Sequence, residues 1–303
     1  MVRKKELKRL IVYLAFAFGI TWAVFFSYII SGNSWNAEGE ITPMEQLVCL
    51  GMLGPAAAML LTRYVTKEGF AVKGEASMLL GISLRDKKWI YFVMAMFLPW
   101  IYYELGNGLL LIVNQGAFDI SNPSKLGISD AERGIVFMQP IAAIASGTIV
   151  SFAAFGEEAG WRGYMMPKMV RLWGVKKAVL AGGIIWGMWH WPLTCIGHNF
   201  GRDYWGYPFT GLAAVCVMCI TMGIILTYVT FRSGSVWPAV ILHAVNNASP
   251  SIIQYYIDYD KMTGWRADTI GLFFTMMLPM IVISLFMYRR LCKGLMPAGW
   301  QEK

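Results

Sequence analysis

"FGEEAGWRGYMMPKM" occupies residues 155–169 and places two carboxylates and an arginine in an apolar part of this 303-residue chain. An ionisable side chain at the centre of a bilayer costs about 2.5 to 3.5 kcal/mol on the lower insertion scales. If this stretch lies in a membrane, Glu157, Glu158 and Arg162 therefore need a structural or functional reason to be there.

The rest of the sequence is typical of an integral membrane protein. Hydrophobic residues make up 57% of the chain, charged residues 15%, and the mean hydropathy is +0.51. An apolar run of about 20 residues can cross the roughly 30 Å of hydrocarbon in a bilayer. Such runs occur at residues 10–30, 44–63, 89–113, 141–166, 179–195, 211–231, 236–256 and 269–288. We therefore predict an all-α, polytopic membrane fold with about eight transmembrane helices.

The basic residues predict the orientation of the chain, because Lys and Arg accumulate in cytoplasmic loops. With both termini in the cytoplasm, 20 of the 26 basic residues fall on the cytoplasmic side, 5 fall on the opposite side, and Arg162 falls within a span. We therefore expect both termini to be cytoplasmic. The formal net charge of +8 fits attraction to anionic lipid headgroups, and we do not interpret it as a nucleic-acid-binding surface.

The sequence is divided by its motifs, since no repeat or low-complexity linker separates its parts. We assign residues 1–134 to the first three transmembrane helices and their loops, residues 135–256 to a catalytic core in spans 4 to 7, and residues 257–303 to the last helix and a cytoplasmic tail. Cys216 and Cys219 have a CxxC spacing inside a span, and we interpret them as packing residues.

Polar residues recur on the later spans at helical spacing. An i,i+4 spacing places the members of three pairs on a shared helix face: Glu158 with Arg162, Trp186 with His190, and His243 with Asn247. Glu157 is turned by about 100° from Glu158, so the two carboxylates have different surroundings. We expect Arg162 to neutralise Glu158, and Glu157 to face something else.

These motifs are expected to lie at one depth in the membrane. If Pro167 ends the fourth helix, a rise of about 1.5 Å per residue places Glu157 and His243 roughly 16 Å below the cytoplasmic face. The same reasoning places His190 roughly 20 Å below it. Taken alone, Glu158 and Arg162 fit a structural buried ion pair as well as a functional one. Three helices that each carry a costly polar motif at matched depth predict a single polar site.

Hydrolysis of an amide bond inside the membrane is the reaction class that uses every member of this set. A carboxylate held away from bulk water binds a proton more readily, so Glu157 can activate a water that His190 shares. Asn247 and His243 offer N–H groups of the kind that stabilise an oxyanion. Zinc is the alternative, with Glu157, His190 and His243 as ligands and water in the fourth position, although no HExxH string occurs. No other cofactor is expected.

The motif order resembles the CPBP family of intramembrane proteases, also called the Abi family. The matching patterns are EExxxR (Glu157, Glu158, Arg162), an aromatic residue followed by xxxH (Trp186 to His190), and HxxxN (His243 to Asn247). That family includes the type II CAAX prenyl endopeptidase and bacterial relatives that process peptides or confer bacteriocin immunity. It has been described both as a metalloprotease family and as a family of metal-independent glutamate proteases.

The resemblance implies a role for each matching residue. Glu157 would be the water-activating base with His190 beside it, and Glu158 would support the site together with Arg162. The oxyanion would be bound by two residues of the last motif, His243 and Asn247. The family commonly has Phe where this chain has Trp186, which we interpret as an aromatic wall of the site.

Our first hypothesis is therefore an intramembrane endopeptidase that cleaves a membrane-associated peptide or protein near the cytoplasmic side. The processing would be of the CAAX type or of the leader and bacteriocin type, in the plasma membrane of a bacterium. The expected partners are the substrate and the lipid bilayer, and not nucleic acid. Two other classes use the same cluster: a transporter or proton relay, and a non-enzymatic immunity scaffold.

Overall fold

The regular structure of the chain is helical. The computed structural model describes residues 2–33, 49–70, 78–129, 132–149 and 151–293. Its main helices are α1 (Val2–Ile30), α2 (Gly54–Val65), α3 (Trp89–Val113), α4 (Arg133–Ile149), α5 (Phe152–Gly160), α6 (Met166–Thr194), α7 (Phe209–Ser233), α8 (Trp237–Asn247) and α9 (Thr269–Cys292). The extended pairing found in these ranges is one isolated bridge between Phe118 and Ile257. The predicted all-α class is confirmed.

Short helical turns join the main helices. A 3-10 turn leads into α2, and a π-helical turn, Trp161–Met165, joins α5 to α6. The remaining turns lie in the loops that follow α3 and α8: Asn122–Lys125, Ile253–Tyr256, Tyr259–Lys261 and Gly264–Arg266.

The structure confirms a polytopic membrane protein and does not confirm eight spans. Four helices in the described ranges have the length and apolar composition needed to cross a membrane: Arg3–Ile30, Trp89–Val113, Phe209–Ser233 and Thr269–Cys292. A fifth is counted if Arg133–Thr148 and Phe152–Thr194, which meet at a bend of 60°, form one span.

Two of the expected spans form helices that are shorter than predicted. The helix α2 has 12 residues and α8 has 11, so each is only about 16 to 18 Å long at about 1.5 Å per residue. Residues 44–48 of the expected second span lie outside the described residues. A run too short to cross hydrocarbon is more typical of a core helix. α8 fits this description, since Val240, Leu242 and Val245 are buried, whereas Leu60, Leu61 and Tyr64 of α2 are exposed.

The expectation that Pro167 ends a helix is wrong. Pro167 lies in the first turn of α6, where its missing N–H is tolerated. Lys168, the next residue, is buried, with its Nζ 2.6 Å from Glu68 Oε1. The helical backbone breaks instead at Gly174, whose φ of 72° is one that glycine adopts readily.

The break at Gly174 makes the chain double back on itself. The indole Nε1 of Trp186 lies 2.8 Å from Glu157 Oε2, although 29 residues separate them in sequence. In a straight helix these positions would be about 44 Å apart. The two segments therefore run beside each other, and the reversal brings the first two polar motifs together.

The segment after Gly174 packs along α7 through small residues. A Cβ built on Gly183 would lie 2.4 Å from Cα of Ile220, and one on Gly187 would lie 2.6 Å from Cα of Cys216. Such close approach stabilises helix association in lipid, where no hydrophobic force pulls helices together. Cys216 is a packing residue at this interface, in agreement with our interpretation of the CxxC spacing.

The short helices pack against one another and against the long helices. α5 packs against α2 and α8, α1 packs against α2 and α6, and α9 packs against α3 and α7. Glu157, Glu158 and His243 are thus buried among the helices, whereas Asn247 at the end of α8 is exposed.

An ion cluster with exposed lysines and largely covered carboxylates joins the loop after α3 to the loop before α9. Lys125 Nζ lies 2.5 Å from Asp119 Oδ2, and Lys261 Nζ lies 3.1 Å from the same oxygen and 3.2 Å from Asp258 Oδ2. The hydrogen bond from Lys125 holds the pKa of Asp119 below its ordinary value. The contribution of this carboxylate to stability is therefore present at neutral pH and is lost as the pH falls through that lowered pKa.

We predict that Gly183→Ala lowers the thermal unfolding midpoint, because the new methyl group would force the backbones of α6 and α7 apart. Overpacking of this kind costs about 1 to 3 kcal/mol. Gly19→Ala in α1 is the matched control, since nothing lies within 4 Å of a Cβ at that position. Unfolding in detergent, followed by tryptophan fluorescence, measures both midpoints; equal midpoints would contradict the close packing.

Candidate active site

Five of the six predicted residues come together around the indole ring of Trp186. α5 supplies Glu157 and Glu158, the π-helical turn supplies Arg162, α6 supplies His190 and α8 supplies His243. The two carboxylates have exposed fractions of only 2% and 0%. A buried charge of this kind is tolerated when it is paired and hydrogen-bonded.

Glu158 is held by two cationic or potentially cationic partners. Its Oε1 accepts a hydrogen bond from Arg162 Nη1 at 3.1 Å, the contact that the i,i+4 spacing predicted. The same oxygen lies 2.8 Å from His243 Nδ1, which the sequence did not indicate. Glu158 Oε2 and Arg162 Nε have no hydrogen-bond partner among the described residues. Glu158 thus links α5 to α8 in the interior.

Glu157 has a partner that sequence reasoning missed. The indole Nε1 of Trp186 donates to Glu157 Oε2 at 2.8 Å, so Trp186 is a hydrogen-bond donor as well as an aromatic wall. The i,i+4 spacing relates Trp186 to His190 and gave no sign of a contact with α5. The bond occupies one carboxylate oxygen and leaves Oε1 for other contacts.

The hydrogen bond of His190 indicates its tautomer. Its Nδ1 lies 2.9 Å from the backbone carbonyl oxygen of Trp186. A carbonyl oxygen can only accept, so Nδ1 carries the hydrogen, and in the neutral ring Nε2 is the acceptor. The ring packs edge-on against Trp189, with centroids 4.7 Å apart. His190 therefore offers an acceptor nitrogen of the kind that can share a proton of water.

His243 is arranged differently. Its Nδ1 donates to the ionised form of Glu158, so in a neutral ring its Nε2 would have no hydrogen to donate. An oxyanion role therefore requires the ring to be cationic. The carboxylate of Glu158 at 2.8 Å stabilises that charge.

Asn247 lies at the edge of the cluster. It is the last residue of α8 and is exposed, and its Oδ1 accepts from Asn246 Nδ2 at 3.3 Å. That bond engages the side-chain oxygen of Asn247 and leaves its Nδ2 amide group to donate to another acceptor. Among the described residues, no hydrogen bond joins Asn247 to the other five predicted residues.

Polar side chains of α3 hold the end of α8, and our sequence analysis did not identify them. Tyr102 OH donates to Asn246 Oδ1 at 2.5 Å, and Tyr103 OH donates to the backbone oxygen of Asn246 at 3.2 Å. The carboxylate of Glu104 accepts from the backbone N–H groups of Ile252 and Ile253, the latter at 3.1 Å. Glu104 is the sole carboxylate in the expected span at residues 89–113. A carboxylate within a span is costly, and on that ground the sequence could have identified Glu104 as a candidate site residue.

An apolar cavity of about 200 Å³ lies beside this contact, between α3, α7, α8 and α9. Its walls are mostly aromatic rings and methionines, and they include Tyr102, Met218, Met222, Asn246, Phe273 and Met280. Methionine side chains are flexible and adapt to apolar ligands of varied shape.

The candidate zinc ligands do not fit a zinc site. In the described parts of the chain, no three His, Cys, Asp or Glu side chains converge on a point that could hold a metal ion. The Nδ1 atoms of His190 and His243 are engaged with a carbonyl and with Glu158, which leaves their Nε2 atoms as the ring nitrogens that could bind a metal. A catalytic zinc needs three convergent protein ligands, so we derive no chemical step through a metal.

Comparison with known proteins points to membrane proteases. A family model described as "Type II CAAX prenyl endopeptidase Rce1-like" matches residues 139–249. A CAAX prenyl protease 2 from Methanococcus maripaludis is 26% identical over 106 residues. The alignment covers 35% of this chain and 39% of that protein, so the chain matches well under half of its relative's length.

The residues matched by the family model include all six predicted site residues and lie within the predicted core, residues 135–256. The class of protein that this core resembles is the intramembrane protease. The two similarities confirm the predicted resemblance to the CPBP family.

We predict that Arg162→Met strongly destabilises the protein, because it leaves Glu158 buried without its arginine. Breaking a buried ion pair from one side costs about 3 to 5 kcal/mol. The double variant Glu158→Gln/Arg162→Met carries no unpaired carboxylate at this position and should unfold at a higher temperature than Arg162→Met alone. Thermal unfolding in detergent measures both. If the double variant were the less stable of the two, the pairing would not be the source of the stability.

Proposed function

We propose that this chain is an intramembrane endopeptidase that hydrolyses a peptide bond of a membrane-associated peptide or protein. The observation that carries the proposal is the arrangement around Trp186, which contacts both a buried carboxylate and a histidine with an acceptor nitrogen. A carboxylate that removes a proton and a neighbouring acceptor that orients the water are what general-base hydrolysis requires. The similarity to a protease family over the same residues supports the proposal.

In the proposed reaction, Glu157 Oε1 takes a proton from a water that His190 Nε2 orients. The water oxygen forms a bond to the scissile carbonyl carbon, and the carbonyl oxygen becomes an oxyanion. Two N–H donors stabilise it: the Nε2–H of the His243 imidazolium and the Nδ2 amide of Asn247. The tetrahedral intermediate collapses with cleavage of the C–N bond, and Glu157 returns its proton to the leaving nitrogen. Glu158 and Arg162 keep the site in place.

For the substrate, the name of the similar protein from Methanococcus maripaludis supports CAAX-type processing. Leader or bacteriocin processing is the alternative. The cavity beside Asn246 is apolar and suits an apolar part of the substrate next to the scissile bond. The proposal places the protein in a bacterial plasma membrane with both termini in the cytoplasm. The distribution of basic residues supports this orientation.

We predict that Glu157→Gln abolishes cleavage while the protein remains folded, because an amide cannot accept the proton of the attacking water. Quantitative mass spectrometry of membrane peptides compares cells that carry the wild type with cells that carry the variant. The matched control is Glu132→Gln, since Glu132 is exposed and its carboxylate binds Ser129.

Peptides released by the wild type and by Glu132→Gln should be missing with Glu157→Gln. Equal peptide release from all three proteins would refute the peptidase assignment. A substrate-driven proton or ion flux in proteoliposomes, without peptide release, would instead favour a transporter.

We predict that the purified protein keeps its peptidase activity after treatment with a zinc chelator, because its ligand geometry does not fit zinc. Zinc content is measured on the same samples by elemental analysis. Activity that disappears on chelation and returns with added zinc would show that the metal-dependent mechanism is correct.

A further inference from the structure

We infer that Trp186 is a positioning residue that determines which oxygen of Glu157 acts as the base. This inference rests on the proposed peptidase function and adds a residue to it. The indole N–H binds Oε2 at 2.8 Å, so that oxygen points towards α6. Oε1 is then the oxygen available to a water.

Trp186 acts on the second partner of the water as well. Its backbone carbonyl accepts from Nδ1 of His190 at 2.9 Å and so turns Nε2 outward as the acceptor. The side chain and the backbone of one residue therefore orient both groups between which the water would lie. Any movement of Trp186 would displace the two groups together.

The ring itself is held on three sides. The guanidinium carbon of Arg162 lies 4.0 Å from the ring centroid, a cation–π distance. The ring of His243 meets it edge-on with centroids 5.5 Å apart, and the ring of His190 does so at 5.7 Å. Trp186 is only 3% exposed. A donor packed this closely loses little freedom when it binds a carboxylate, which favours a single geometry for Glu157.

Phenylalanine at this position could fill much of the same space and could not donate the hydrogen bond. The contact between Trp186 and Glu157 is thus a chemical feature of this chain's tryptophan and not of an aromatic wall in general.

The chain offers a matched control in Trp161. Its ring is fully buried and packs against Tyr13 and Trp189. Its Nε1 has no hydrogen-bond partner among the described residues. Trp161→Phe therefore removes the same atoms as Trp186→Phe from a buried site without removing a hydrogen bond to the carboxylate.

The first test is a double-mutant cycle on stability, and it needs no substrate. Thermal unfolding is measured for Trp186→Phe, Glu157→Leu and the double variant, and again with Trp161→Phe in place of Trp186→Phe. The loss of stability in the Trp186→Phe/Glu157→Leu double variant should be smaller than the sum of the losses in the two single variants. The reason is that either substitution alone already removes the same hydrogen bond. The Trp161 cycle should show a smaller coupling, because Trp161 Nε1 makes no hydrogen bond to Glu157. Additive losses in both cycles would overturn the inference.

The second test separates positioning from structure. The probe is a fluorogenic peptide with the sequence of a cleavage site released by the wild type and not by Glu157→Gln, assayed in proteoliposomes. Trp186→Phe should lower kcat about tenfold, equivalent to about 1.4 kcal/mol, with little change in KM. Trp161→Phe should leave both constants within about twofold of wild type. Replacement of Trp186 by benzothienylalanine, which has the same shape and no N–H, should lower kcat like Trp186→Phe.

The outcomes distinguish this inference from the proposed function. If Glu157→Gln retains turnover, the peptidase mechanism is wrong. If Glu157→Gln is inactive and the benzothienylalanine protein has wild-type kcat, the mechanism stands and the role of Trp186 is refuted. A fall in kcat with Trp161→Phe equal to that with Trp186→Phe would show a general packing effect and would also overturn the inference.

Discussion

The burial of two adjacent carboxylates is the constraint on which the rest of the structure depends. An ionised carboxylate removed from water is tolerated only with donors or positive charge close to it. Glu157 and Glu158 receive these from Trp186, Arg162 and His243. Because the donors lie on α6, the π-helical turn and α8, the helices must meet around α5, and the polar contacts specify how they pack.

The division between long and short helices follows from the same constraint. Long apolar helices such as α1, α3 and α9 can face hydrocarbon, whereas α5 and α8 carry charged or polar groups and pack against other helices. α3 binds the end of α8 through hydrogen bonds from Tyr102 and Tyr103 to Asn246, next to the exposed Asn247.

Local rules predicted part of this arrangement and failed where distant residues meet. The pairing of Glu158 with Arg162 follows from the helix period, because i,i+4 neighbours lie on one face. The end of the fourth helix was assigned to Pro167, but a proline in the first turn of a helix costs little, and the reversal occurs at Gly174. Apolar runs do not by themselves give the number of spans, since a short core helix and a membrane-crossing helix have similar composition.

By itself, the sequence determined the membrane class, the helical fold and the set of candidate site residues. The site residues could be chosen because a polar side chain in an apolar run costs free energy and is therefore conspicuous in the sequence. Only the tertiary structure decided the partners of those groups. The bond from His243 to Glu158 joins residues 85 positions apart, and the bond from Trp186 to Glu157 joins residues 29 apart. No helical period relates such positions. Their contact depends on where the chain turns back and on how closely small residues let the helices pack, and both are properties of the whole bundle.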